Sequence, residues 1–137
     1  MQWDDTVNAG FNRGAAPWQC MNEDYRQINV KNDLASGRSI YRFYQRLLAF
    51  RRESPVILSG SAQEYLPRHR QLMAYARELN GKRFLIVGNL SPREATLRLP
   101  DDFSAYRLTV RLTNQTRAQV RSEMRLKPYE AMVLEEK

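Results

Sequence analysis

The sequence is poor in the residues that build disulfide, metal and acid–base sites. Its 137 residues include one cysteine, Cys20, and one histidine, His69. A lone cysteine cannot form an internal disulfide and fits a reducing compartment, so we expect a cytoplasmic protein. No group of His, Cys, Asp and Glu residues has the spacing of a metal site. The sequence therefore predicts no metal and no cofactor.

Long apolar runs and a leader segment are also missing. No run approaches the roughly 20 apolar residues that a helix needs to span a bilayer. Met1 is followed by the polar stretch Gln-Trp-Asp-Asp, whereas a signal peptide has a basic and then an apolar segment. We therefore expect no membrane partner and no signal peptide.

Arginine is the abundant charged residue, and the net charge is +7. A basic chain raises the question of nucleic-acid binding. The arginines are scattered, however, and in segments 106–113 and 119–127 they alternate with apolar residues. That alternation is typical of a solvated sheet face, and no nucleic-acid-binding motif accompanies it. We expect no nucleic-acid partner.

The strongest periodic signal is a helix between Ser39 and Pro55. Apolar residues recur there at i, i+3, i+4, i+7 and i+8 and form one stripe: Ile40, Phe43, Tyr44, Leu47 and Leu48. Ser39 suits the N-cap, and Pro55 is expected to end the helix. The residues before the helix are rich in Gly and Asn, which is loop chemistry. They offer little surface to cover so large a stripe.

From Val56 onward the period changes to two, which indicates strands. Asn80-Gly81 lies between two β-rich runs and predicts a type I′ hairpin. The expected strands are 63–66, 72–79, 82–90, 95–99, 106–113, 120–126 and 129–134. Short strands at this spacing predict a mainly β chain, an antiparallel β-sandwich preceded by a loop and one helix. The expected domains are residues 1–55 and 56–137.

Several motifs, in order along the chain, resemble glycoside hydrolase family 13. Met1–Phe11, Pro17-Trp18 and Tyr25 with Ile28–Val30 are similar to the segment after the eighth barrel strand. Ser39–Arg52 resembles the eighth barrel helix. Stretches Gly88–Ser91 and Leu126–Glu135 resemble the C-terminal sandwich. The most similar group contains the oligo-1,6-glucosidases, α-glucosidases and trehalose-6-phosphate hydrolases.

The resemblance implies that this chain is a C-terminal part: the last barrel loop and helix plus the sandwich. The family's catalytic carboxylates lie on barrel strands upstream of Met1, so no catalytic residue is assigned here. Adjacent acidic pairs such as Asp4-Asp5 cannot replace them, because retaining glycosidases need two facing carboxyls about 5–5.5 Å apart. The residues expected nearest the active-site rim are Gln2, Trp3 and Asp4. Trp3 and Trp18 are expected to anchor the loop to the barrel; stacking on a sugar is the alternative.

These observations predict the C-terminal part of a retaining α-glucosidase-type enzyme of carbohydrate metabolism, acting on α-glucosidic bonds of small oligosaccharides. The chain alone is expected to be inactive and to support the barrel, which is its missing packing partner. Without the barrel, a homodimer through the stripe Ile40, Phe43, Tyr44, Leu47 and Leu48 is expected, because a symmetric contact lets one patch cover itself. The alternative is a free-standing β-sandwich that binds carbohydrate or a protein.

Overall fold

Helices occupy the first part of the chain and strands the second. The computed structural model describes residues 1–117 and 119–137. Within these residues the helices are α1 (Val30–Ala35), α2 (Ile40–Glu53) and α3 (Pro55–Ser59), and single 3-10 turns lie at Val7–Gly10, Glu23–Arg26 and Ala105–Arg107. The strands are β1 (Ser61–Tyr65), β2 (Leu72–Leu79), β3 (Lys82–Asn89), β4 (Ala95–Arg98), β5 (Leu108–Thr113), β6 (Glu123–Leu126) and β7 (Ala131–Glu136). No helix in the described part has the length and apolar character needed to cross a bilayer.

The chain divides into two compact units, Met1–Ala49 and Phe50–Lys137, which we call the N-terminal and the C-terminal unit. In the N-terminal unit, all of which the structure describes, the buried residues are Ala9, Asn29 and Ser39. This unit therefore has no apolar core and is held by hydrogen bonds. The predicted domain limits, 1–55 and 56–137, stay a prediction, because compactness alone does not show independent folding.

The C-terminal unit is an antiparallel β-sandwich, as the sequence predicts. Its larger sheet has the strand order β1-β2-β3-β7-β5, and β4 pairs with β6 in a smaller sheet. Asn80 and Gly81 have φ angles of 52° and 76° and join β2 to β3 through the pair Leu79 and Lys82. Positive φ at both positions is the backbone that a type I′ turn requires, so the predicted hairpin is confirmed.

Strand β3 is covered on both faces. Leu85 and Val87 point into a core that also contains Leu97 of β4 and Leu126 of β6. On the opposite face Phe84 and Val133 pack with Val56, and the ring of Phe50 meets that of Phe84 edge-on at 5.5 Å. Each buried side chain of this size stabilises the fold by about 1.5–3 kcal/mol. The continuous apolar run of β3 follows from this double burial.

A second short helix precedes the first strand. Helix α2 ends at Glu53, and Pro55 does not only terminate it but begins the short helix α3. Proline is favoured at the first helical position because its missing N–H has no helical partner there. The expected period of two is therefore wrong for residues 56–59, which are helical, and the first strand begins at Ser61, close to the expected start at residue 63.

The alternation expected for strand β5 is also wrong in part. Tyr106 lies in a 3-10 turn and is fully exposed. A bulge between Val110 and Leu112 shifts the register, so that Val110 opposes Leu134 and Leu112 opposes Val133. Val110 therefore packs in the core between the sheets, and Leu112 packs on the other face. An extra residue in one strand reverses the side-chain alternation beyond it.

A buried ion pair ties the loop after β5 to the turn before β7. The Glu130 side chain is 1% exposed and accepts hydrogen bonds from Arg117 Nε at 2.6 Å and Nη2 at 3.1 Å. The Lys127 backbone N–H donates to the same carboxylate at 2.8 Å. Burial by itself raises the pKa of Glu130, but these donors outweigh burial and hold the pKa below its ordinary value.

Candidate functional site

The first residues of the chain are fixed by backbone hydrogen bonds to two later segments. The Trp3 N–H donates to the Ala9 carbonyl at 2.9 Å. The N–H groups of Val30 and Lys31, in the first turn of α1, donate to the carbonyls of Gln2 and Trp3 at 3.0 Å each. The first-turn donors of a helix have no helical partner, so segment 2–3 satisfies two of them. Backbone hydrogen bonds therefore hold the segment that carries the predicted rim residues in a fixed position.

A strained turn follows this segment. Asn8 and Ala9 have φ angles of 58° and 51°, and Gly10 has a φ of 70°. Left-handed backbone is unfavourable for alanine, and Ala9 is almost fully buried. A Cβ at position 10 would lie 2.8 Å from the Asp4 carboxylate, and the positive φ there also disfavours any residue with a side chain. Asp4 and the turn at 8–10 are therefore one structural unit.

The side chains of Gln2, Trp3 and Asp4 have different environments. Asp4 Oδ1 accepts from the side-chain hydroxyl and the backbone N–H of Thr6, and these bonds lower the pKa of Asp4. Trp3 is 48% exposed, and Gln2 is partly buried. The structure brings the three residues together on one segment. Their nearness to a substrate stays a prediction.

Two residues that sequence reasoning missed hold the helices of this unit. Asn29 is buried, and its Oδ1 accepts from the Asn32 N–H at 2.8 Å as the N-cap of α1. Asp33 accepts from the Ser39 hydroxyl at 2.6 Å and from the N–H groups of Ile40 and Tyr41 at 2.9 and 3.0 Å. An Asn before a short helix is a readable N-cap signal, but Asp33 lies too far upstream of α2 for a local capping rule.

Ser39 is confirmed as a cap of α2, since its hydroxyl oxygen accepts from the Arg42 N–H at 3.1 Å. The apolar stripe that begins after it is open. Ile40, Tyr44 and Leu48 are 67%, 56% and 59% exposed, and Phe43 and Leu47 are partly buried. Trp18 is 94% exposed. Several large apolar side chains left open on one helix face are typical of a surface that packs against another element.

Several of the adjacent acidic residues that the sequence offers take part in ion pairs and turns. Asp5 accepts from Lys31 Nζ at 2.8 Å. Glu135 lies 3.0 Å from Arg111, and Glu136 lies 3.2 Å from Arg83. No cluster of three or more His, Cys, Asp and Glu side chains suited to a metal occurs in the part of the chain that the structure describes. The geometry thus gives these carboxylates structural partners.

Two models of known protein families match this chain, one in its first part and one in its second. The family model "Alpha amylase, catalytic domain" matches residues 1–60, and the model "Alpha-amylase SusG C-terminal domain" matches residues 72–133. The two matches follow each other in the order of the two units. The chain belongs to glycoside hydrolase family 13. Its sandwich matches the C-terminal β-sandwich of amylase-type enzymes.

Relatives from family 13 match nearly the whole chain. An oligo-1,6-glucosidase of Parageobacillus thermoglucosidasius is 33% identical over 97% of this chain and 24% of its own length. A trehalose-6-phosphate hydrolase of Escherichia coli K12 is 40% identical over 66% of this chain and 16% of its own length. The crystal structure of trehalose-6-phosphate hydrolase from Bacillus licheniformis superposes with a TM-score of 0.90 at 30% identity, covering 100% of this chain and 25% of that one. The family 13 chain thus spans about a quarter of the length of the relatives it matches.

Proposed function

We propose that this chain is the C-terminal part of a retaining α-glucosidase-type glycoside hydrolase that acts on α-glucosidic bonds of small oligosaccharides in cytoplasmic carbohydrate metabolism. The observation that carries the proposal is the ordered match of residues 1–60 to an amylase catalytic domain and of residues 72–133 to an amylase C-terminal domain. Retaining hydrolysis proceeds through a covalent glycosyl-enzyme and uses two facing carboxyls. In this proposal both carboxyls belong to the barrel, and this chain packs against the barrel and stabilises it.

The N-terminal unit supplies the first argument for a barrel partner. It buries one apolar side chain, Ala9, within residues 1–49, and more than half of the surface of Ile40, Tyr44 and Leu48 stays exposed. Hydrogen bonds alone contribute only about 0.5–1.5 kcal/mol each, so a unit without a core is marginal by itself. In the complete enzyme we propose that the α2 stripe packs on the barrel and that Gln2, Trp3 and Asp4 lie at the active-site rim. Trp3 and Trp18 then serve as anchors.

The experiment is a split-enzyme complementation. The chain is mixed with the first three quarters of the related oligo-1,6-glucosidase, and hydrolysis of p-nitrophenyl α-glucoside is followed. We expect no turnover by either part alone and measurable turnover by the mixture. Turnover by this chain alone that is lost on mutation of one of its own carboxylates would overturn the proposal.

A matched pair of variants tests whether α2 carries the contact. The variant Phe43→Glu, Leu47→Lys changes the apolar stripe, and the control Gln45→Glu, Arg46→Lys changes exposed positions of the same helix. We expect the stripe variant to lose complementation and the control to retain it. Equal activity of both variants would contradict the proposed docking face. An upstream reading frame that encodes no barrel would favour the free-standing β-sandwich instead.

A further inference from the structure

The larger sheet of the C-terminal unit is wider than the smaller sheet that covers it, and one corner of its inner face stays open. Strand β1 is the edge strand, and Ser61 to Glu64 are exposed. Side chains of Gln63 and Tyr65 share this face with Ala76 and Glu78 of β2, according to the strand register. Alanine at position 76 leaves room above the sheet, and a cleft of about 320 Å³ opens there.

The wall of the cleft is preorganised. Arg83 lies over the Phe103 ring, with 4.1 Å between the guanidinium carbon and the ring centroid. Its Nη1 donates to Glu136 at 3.2 Å, and its Nη2 pairs with Asp102. The Tyr65 hydroxyl donates to the same Asp102 oxygen at 2.7 Å, and its ring meets Phe103 edge-on at 5.9 Å. Side chains already fixed in place lose little conformational entropy when a ligand binds.

The hydrogen-bonding capacity left in the cleft is mostly that of acceptors. Both bonds to Asp102 from Tyr65 and Arg83 use Oδ2, which leaves Oδ1 for another donor. Gln63 uses its Nε2 on the Glu64 carbonyl at 3.0 Å and keeps its own Oε1. The Glu78 carboxylate is half-exposed, and its nearest cation is Arg83 Nε at 3.6 Å. A matching ligand must bring several donors.

The carboxylates of Glu78 and Asp102 repel an anion from the cleft. The guanidinium of Arg83 pairs with both of them, which weakens their attraction for a free cation. A neutral molecule with several hydroxyl groups meets no repulsion and supplies the donors. The volume lies at the small end of the range of about 300–1,000 Å³ that small-molecule sites occupy. One or two sugar rings match that size.

We propose that this cleft binds a neutral saccharide, whose hydroxyl groups donate to the carboxylates of Glu78 and Asp102 and to Oε1 of Gln63. The choice of glucose disaccharides as its ligands rests on the proposed function; the site itself rests on the cleft. The interaction gives the sandwich a direct contact with carbohydrate.

The test is an NMR titration of the full chain with maltose, isomaltose and trehalose, read from backbone amide shifts. We expect saturable shifts at Ser61, Gln63, Glu78 and Arg83 with at least one disaccharide. Glu78→Ala should weaken binding by at least about tenfold, the factor expected for one charge-assisted hydrogen bond. The control Glu64→Ala changes the neighbouring residue of β1, whose side chain lies on the other sheet face, and should bind as the parent does.

Several outcomes would overturn the proposal: no shifts with any disaccharide, shifts confined to other residues, or equal affinity of the Glu78→Ala and Glu64→Ala variants. A titration with arginine hydrochloride that shifts the cleft amides where the disaccharides do not would assign the cleft to a cation and equally overturn it. The result is separable from the complementation experiment, because binding is measured on this chain alone. A chain that binds saccharide here yet fails to complement a barrel would refute only the proposed function.

Discussion

Removing the cation from the buried ion pair Arg117–Glu130 should cost the C-terminal unit much of its stability. The Arg117 side chain is 20% exposed and that of Glu130 is 1% exposed. The variant Arg117→Met keeps the aliphatic stem but leaves the carboxylate with the Lys127 N–H alone. Breaking a buried pair from one side costs about 3–5 kcal/mol. This is a large share of the roughly 5–15 kcal/mol that stabilises a typical domain.

Urea unfolding followed by far-UV circular dichroism measures this loss as a lower midpoint at an unchanged slope. The control is Arg98→Met, which removes a cation from the exposed pair Arg98–Glu123, whose side chains are 84% and 56% exposed. Exposed pairs contribute about 0–1 kcal/mol, so the control should unfold close to the parent chain.

The pH dependence gives a second, independent measurement. In the parent chain the folded pKa of Glu130 lies below its ordinary value, so its stabilising contribution is complete above that value and is lost as the pH falls through the folded pKa. In the Arg117→Met variant, burial dominates and raises the pKa of Glu130 in the folded state. The variant is therefore most stable at low pH, where Glu130 is protonated, and it loses stability as the pH rises. The stability gap between the two chains should therefore narrow on acidification. A loss below about 1 kcal/mol, or a gap that does not change with pH, would refute this reasoning.

Three further changes test other parts of the molecule. Leu85→Ala should lower the free energy of unfolding by about 2–5 kcal/mol in a thermal or urea melt, because Leu85 is fully buried; a neutral result would mean that the core is misassigned. Gly60→Ala should cost about 1–3 kcal/mol in the same melt, since a Cβ there would overlap the Val56 carbonyl and lie 2.7 Å from the Glu78 carbonyl oxygen; Gly37→Ala, with open space around it, is the control. Light scattering of the isolated chain should show a dimer that Phe43→Glu, Leu47→Lys converts to a monomer; a monomeric parent at high concentration would exclude self-association through α2.

The parts of the fold that the sequence predicts are those with a local cause. Asn80-Gly81 predicts its hairpin because two adjacent residues supply the positive φ angles. Ser39 caps a helix that begins at the next residue. The stripe of α2 follows from one period along one element. In each case the residues that decide the structure are neighbours in the chain.

The features that the sequence does not predict depend on residues far apart. The bulge in β5 is set by its pairing with β7 and cannot be read from the alternation of β5 alone. Asp33 caps α2 from a different helix, α1. The cleft under Arg83 is assembled from β1, β2, β3 and the loop at Asp102. The prediction that Gln2, Trp3 and Asp4 lie at an active-site rim follows only from the family resemblance, because no periodicity or spacing marks these residues.

The positions of the aromatic residues give the chain two separate optical reporters. Both tryptophans, Trp3 and Trp18, belong to the N-terminal unit, and the C-terminal unit has none. Indole emission therefore reports the unit without an apolar core, and the β-sheet signal in circular dichroism reports the unit with one. If the N-terminal unit loosens first on heating, emission will change at a lower temperature than ellipticity. If the proposed barrel docks on this unit, the indole emission should shift to shorter wavelength while the sheet signal stays constant, so that docking can be followed in real time without a label.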